Sequence, residues 1–268
     1  MSHFTVAVIT NKKPNEDDIY RILALYRENN MGTVEKQYLK FYPIDQDELD
    51  DYKQSFEENK EKTSSFKDYM EDECGYSYNE ETKEYGTYDN PNARFDWMQI
   101  GGRWAGLLTV KKGVDCGIGE TSWTNENDNP YHSDDENVVK CDIAKIKDLL
   151  FPNNEKEKRD SQRFWELYVE KQPIKDKSDE KLLSDFILYK PQYYIDTYHD
   201  KETYVRCCST FTTHAVITKD GQWLEEGAMG WFGYRDSSNI VEWTDNYHKL
   251  VFENATDDDY ITIIDCHI

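Results

Sequence analysis

The chain lacks most of the features by which a sequence announces its class. Its six cysteines, at 74, 116, 141, 207, 208 and 266, include no CxxC pair and no Cys/His spacing of the zinc-finger kind. That excludes a disulfide framework and a structural zinc ribbon. No apolar run approaches the roughly 20 residues a membrane-spanning helix requires, and the opening MSHFTVAVIT lacks the charged-then-apolar form of a signal peptide. A reducing cytoplasm is the expected setting. Neither a GxxxxGK[ST] loop nor a GxGxxG fingerprint is present, so neither familiar phosphate-cradling device is available.

Positive charge is scarce as well. The 32 Lys and Arg stand against 54 Asp and Glu, a formal net charge of −22. Lysines are interleaved with acids, as in EENKEKT and NNEKEKRD, so no basic patch reverses the field. Nucleic-acid backbones and anionic membranes are thereby excluded as partners. The acidity itself serves solubility.

What is present is a globular composition, 37% hydrophobic and 14% aromatic over 268 residues, enough for a substantial core. HFTVAVIT at 3 to 10 reads as a buried strand, and EDDIYRILALYREN at 16 to 29 as an amphipathic helix with an acidic first turn. Residues 45 to 72 read as exposed helix and 75 to 91 as a Tyr-bearing hairpin. From Asp142 to Thr203 the pattern is mainly helical, broken near Pro152, Pro173 and Pro191. THAVITKDGQWLEEG reads as a hairpin turning at Asp220-Gly221, followed by a helix over about 239 to 253 and a last strand, YITIIDCHI. The expectation is a single α+β domain over 1–268. Its sheet, mixed or antiparallel, is built from β-rich parts 1–141 and 204–268, with a helical insertion at 142–203. VAVIT at 6 to 10 returns as HAVIT at 214 to 218, which predicts neighbouring strands in one sheet.

FDWMQIGGRWAG at 95 to 106 concentrates two tryptophans, an arginine and three glycines. With Gly101 and Gly102 at the centre of a tight hairpin, Ile100 pairs with Arg103 and Gln99 with Trp104. Trp97 and Trp104 then either form core or floor a pocket with Arg103 and the glycine amides at its rim. Only eight arginines accompany 24 lysines, and Arg94, Arg103 and Arg235 fall in Trp/Gly-rich segments. Arginine grips phosphate bidentately and stacks on rings, so Arg94, Trp97, Gly101, Gly102, Arg103, Trp104, Trp231 and Arg235 are the expected ligand-binding set for a nucleotide-sized anion.

His3, His214 and His267 fall on predicted strands and are the candidate acids and bases. His3-Phe4-Thr5 fits the His-x-Thr pattern of two-histidine phosphoesterases, but the second copy is missing, since Ala-Val follows His214. Asp265 and His267 share one face of the last strand, compatible with an oriented general base or with two groups that satisfy each other. No metal or cofactor is expected. Asp257-Asp258-Asp259 lacks the alternating ligands and glycine of a calcium loop.

MSHFTVAVIT, NPNARFDWMQIGGRWAG and EEGAMGWFGYRD through ITIIDCHI resemble a set of uncharacterised proteins of tailed phages and bacterial genomes. The resemblance covers both β-rich ends and implies a phage or mobile-element context. In that context an acidic protein with a nucleotide-like pocket is expected to act in counter-defence, on the nucleotide second messengers of bacterial immunity. The expected function is sequestration of a small nucleotide-derived ligand, ADP-ribose-like or cyclic, by a binding protein of open oligomeric state. The alternatives are cleavage of a phosphodiester or glycosidic bond in such a ligand, and an acidic nucleic-acid mimic that blocks a host protein.

Overall fold

A computed structural model describes residues 2–30, 32–58, 65–151, 154–227, 239–253 and 255–268. It is α+β, with mixed and antiparallel sheets. The chain divides into two compact units, one formed by 1–19 with 97–268 and the other by 20–96.

The chain enters through β1 (His3–Thr10), buried from Phe4 onward. In α1 (Glu16–Leu23), Glu16, Asp17 and Asp18 occupy the first turn, where unpaired amides and the helix dipole favour negative charge. The division between the units falls within this helix. The 20–96 unit continues with β2 (Lys40–Pro43), α2 (Gln46–Glu58), α3 (Phe66–Asp68) with a π-helical extension Tyr69–Glu73, β3 (Ser77–Asn79) and β4 (Glu84–Asp89). β4 pairs antiparallel with β2 and β3, and the β3–β4 hairpin is the one expected from the alternating tyrosines. No residue of α2 is buried, as its run of acids implies.

The larger unit resumes with β5 (Trp97–Gly102), β6 (Leu108–Lys111), β7 (Cys116–Gly117), β8 (Glu120–Thr121), β9 (Val138–Cys141) and β10 (Ile143–Lys145). Four helices follow: α4 (Glu155–Tyr168), α5 (Lys177–Phe186), α6 (Pro191–Tyr198) and α7 (Lys201–Ser209). The unit closes with β11 (Ala215–Ile217), β12 (Trp223–Glu225), α8 (Ile240–His248) and β13 (Tyr260–His267). The helical stretch thus covers 155 to 209 instead of 142 to 203. The segment after Asp142 is drawn into the sheet because Ile143 and Ala144 are apolar and pair with β13 and β7.

The main sheet runs β12-β11-β1-β13-β10-β7, with β5 on β13 and β8 on β5. β1 and β13 pair antiparallel along their whole length, from His3↔His267 to Thr10↔Tyr260. The other edge of β13 is shared, β10 taking Tyr260–Thr262 and β5 taking Ile264–His267. Both chain ends therefore supply the centre of one sheet. β11 lies parallel to β1, as the VAVIT echo anticipated, but Val6 faces Ala215, one residue out of the register that would superpose the matching letters.

On one face Ala7, Ile9, Val216, Ile261 and Ile263 pack with Trp243 and Tyr247 of α8. Burial of each large side chain contributes about 1.5–3 kcal/mol. The polar atoms of the two aromatics are both satisfied at Thr213: Trp243 Nε1 donates to its carbonyl at 2.9 Å, and the Tyr247 hydroxyl meets its Oγ1 at 2.9 Å. A second aromatic core, Phe164, Trp165, Tyr194, Tyr198 and Tyr204, holds the helices together.

Candidate active site

Cross-strand partners in a sheet project from the same face, so the registers of β1, β13 and β5 generate two rows of three. His3, His267 and Trp97 form the outer row, and Thr5, Asp265 and Gln99 the inner one. The inner row holds the buried carboxylate. Asp265 is fully buried, with one carboxylate oxygen 2.7 Å from His3 Nδ1 and the other accepting the Arg103 amide at 2.9 Å. A carboxylate can only accept, so Nδ1 is the nitrogen that donates, and in the neutral ring the lone pair is left on Nε2. The His3 side chain is 16% exposed, so the ring is anchored at one nitrogen and still reached by solvent. The His267 ring lies edge-on to it at 5.0 Å between centroids, and the Trp97 ring at 6.1 Å. Trp97 is 44% exposed. Beside them Gln99 Nε2 donates to Glu120 at 2.6 Å, and Thr5 Oγ1 accepts the His214 amide at 3.2 Å.

The glycines of the IGGRWAG stretch make room for aspartates. A Cβ on Gly102 would collide with the Asp265 side chain, and one on Gly101 would lie 2.8 Å from the Glu120 carbonyl and 3.0 Å from Asp142 Oδ2. Both glycines also have positive φ, +81° at Gly101 and +56° at Gly102, which side-chain-bearing residues adopt only at a cost. Asp142, the second fully buried carboxylate, accepts the Gly106 amide at 2.7 Å and the Gly119 amide at 2.8 Å. Burial pushes its carboxyl upward, and the two amide bonds oppose that rise.

These contacts overturn the expected hairpin. Ile100 pairs with Ile264 instead of Arg103, and the chain after Gly102 coils through turns in which Trp104 and Ala105 donate to the carbonyls of Gly101 and Gly102 at 3.0 and 3.3 Å. The reason is long-range: carboxylates from β13 and from the residue between β9 and β10 take the amides that bound the turn. Trp104 packs on the core, whereas the Arg103 side chain is exposed and its carbonyl accepts Trp123 Nε1 at 3.0 Å.

The other expected site residues distribute differently. Arg94 belongs to the 20–96 unit, where its guanidinium donates to the Ala93 carbonyl at 2.8 Å. Trp231 and Arg235 lie outside the described residues. His214 is 6% exposed, with its ring 5.3 Å from that of Phe4 and its carbonyl accepting the Glu226 amide at 2.9 Å. Asp265 was legible as a carboxylate near His267, but its hydrogen-bond partner here is His3. Asp142, Gln99 and Glu120 were missed. An aspartate inside the apolar run VVKCDIA was the one available signal for Asp142. Among the described residues, no group of three or more His, Cys, Asp or Glu is placed to hold a metal ion, and no helix is long and apolar enough to cross a membrane.

Fold and site together define an α+β protein whose two central strands carry an aspartate-oriented histidine beside a second histidine. Comparison of the chain with protein-family models, curated proteins and solved structures finds no match.

Proposed function

We propose that the protein is an acid–base enzyme that cleaves a phosphodiester or glycosidic bond in a small nucleotide-derived molecule. The observation that carries this reading is the 2.7 Å contact between His3 Nδ1 and the buried Asp265 carboxylate. It leaves Nε2 to take the proton of an attacking water or ribose hydroxyl, while the adjacent carboxylate stabilises the imidazolium that results. His267, its ring 5.0 Å from that of His3, is the acid that returns a proton to the departing oxygen, and His3 keeps the proton it has taken. Trp97 supplies a face for the base, and Arg103, tied to Asp265 through its amide, supplies positive charge for phosphate.

The sequestration reading needs free backbone amides at the rim of the stretch, and two of them, those of Arg103 and Gly106, are given to the carboxylates of Asp265 and Asp142. The phage resemblance bears on the substrate, pointing to nucleotide second messengers of immunity. Incubation with a panel of cyclic nucleotides and ADP-ribose derivatives, followed by heat release and mass spectrometry, tests the proposal. Products formed by wild type and lost in His3→Ala support it. A nucleotide bound stoichiometrically and returned intact would establish sequestration instead.

A further inference from the structure

The 20–96 unit contains a cleft of its own, about 690 Å³, bounded by Glu28, Asn30, Ser77, Tyr88 and Asp89 among others. That volume matches the range of small-molecule sites. Its walls are braced by side-chain amides. Asn29 donates to the Tyr88 carbonyl at 2.8 Å and accepts the Val34 amide at 3.3 Å. Asn90, 3% exposed, donates to the carbonyls of Leu25 and Arg27, both at 2.8 Å. The Glu28 amide reaches the Phe95 carbonyl at 2.8 Å. The two lining segments, around 28 and around 89, are thus fixed to each other before any ligand arrives, which lowers the ordering cost of binding.

The lining chemistry is selective. Two carboxylates, carboxamide and hydroxyl groups surround the space, Tyr88 is 40% exposed, and among the described residues no Lys, Arg or His lines it. The unit carries 19 acidic and 10 basic residues. A phosphate would meet repulsion with no compensating donor charge. A neutral polyol would instead find paired acceptors for its hydroxyls and a ring on which its C–H face can rest.

We infer that this cleft binds a neutral saccharide of one or two rings. Titration of the full-length protein with glucose, galactose, N-acetylglucosamine and maltose, followed by saturation-transfer NMR in 0.15 M salt, tests it. Spermidine and ribose 5-phosphate serve as cationic and anionic comparisons. At least one neutral sugar should bind saturably, and Tyr88→Ala or Asp89→Asn should weaken it tenfold or more. Asp50→Asn, an equal charge change on exposed α2, should leave it unaltered. Asp89→Asn keeps the side-chain oxygen that accepts the Asn90 amide at 2.7 Å, so it carries the test should Tyr88→Ala lower the melting temperature. Binding of spermidine alone, binding that survives both substitutions, or no saccharide binding to wild type at millimolar concentration would each overturn the inference.

Discussion

Asp265 and Asp142 invite comparison, because both are fully buried and both grip the turn that follows β5. Asp142 gives both oxygens to backbone amides, those of Gly106 and Gly119. Asp265 gives one oxygen to an amide and the other to the His3 ring, which solvent still reaches. A carboxylate saturated by main chain can only shape a loop. One that divides its oxygens between main chain and an accessible imidazole can also set the protonation pattern of a reactive group.

If that division is the difference between scaffold and chemistry, the largest effects belong to the Asp265 side. His3→Ala should lower turnover of a cleaved nucleotide about 10²- to 10⁴-fold, the usual contribution of a general base. Asp265→Asn should fall in the same range while binding is retained, since an amide cannot hold Nδ1–H as a carboxylate does. Steady-state kinetics on both variants would blunt the comparison if either kept wild-type kcat.

Gly102→Ala should come next, with a stability loss of about 3 kcal/mol or more from a strained positive φ and a methyl driven into Asp265. Denaturant unfolding measures it, and a near-neutral result would mean the turn is looser than its contacts imply.

Asp142→Asn should be milder, about 1–3 kcal/mol, because one side-chain oxygen still accepts an amide while the new NH2 faces a donor. Its pH dependence has a definite sign. A folded-state carboxyl raised by burial binds its proton more tightly than in the unfolded chain, so its contribution to stability falls as pH rises from the ordinary aspartate range through the raised value. The helical region supplies the opposite case. Asp179, gripped by the Arg163 fork at 2.9 and 2.5 Å, is held down to about 2, so its contribution is full above the ordinary aspartate range and is lost as pH falls through about 2. Asp179→Asn should therefore flatten the acid limb of a melting-temperature profile, and Asp142→Asn should flatten a decline on the higher-pH side. Identical profiles for the two variants would contradict the assignment.

A small stability effect, about 1–2 kcal/mol, should come from Trp97→Ala, since a residue 44% exposed still buries part of its ring beside His3. Its cost should appear in nucleotide binding, about 1–3 kcal/mol if the ring is a stacking face. Trp104→Ala, on the core, should show the reverse balance.

The sequence exposed features governed by local pattern. The apolar runs of β1 and β13, the Asp220-Gly221 hairpin and the acidic start of α1 were all readable from periodicity and turn chemistry. The fate of IGGRW was not. Two consecutive glycines look the same whether they turn a hairpin or clear space for carboxylates from residues 142 and 265. His3 and His267 were each visible, but only the antiparallel register of the two termini places them side by side. The 142 boundary failed for a similar reason, since Ile143 and Ala144 suit a helix equally well until β13 offers a free edge.

The His3 tautomer tests the central claim most directly. Long-range ¹H–¹⁵N NMR of the histidine side chains, at a pH where the rings are neutral, should show His3 protonated at Nδ1 with Nε2 as the unprotonated nitrogen in wild type, and that preference lost in Asp265→Asn. A wild-type His3 protonated at Nε2 would contradict it, because Asp265 would then not be orienting a base.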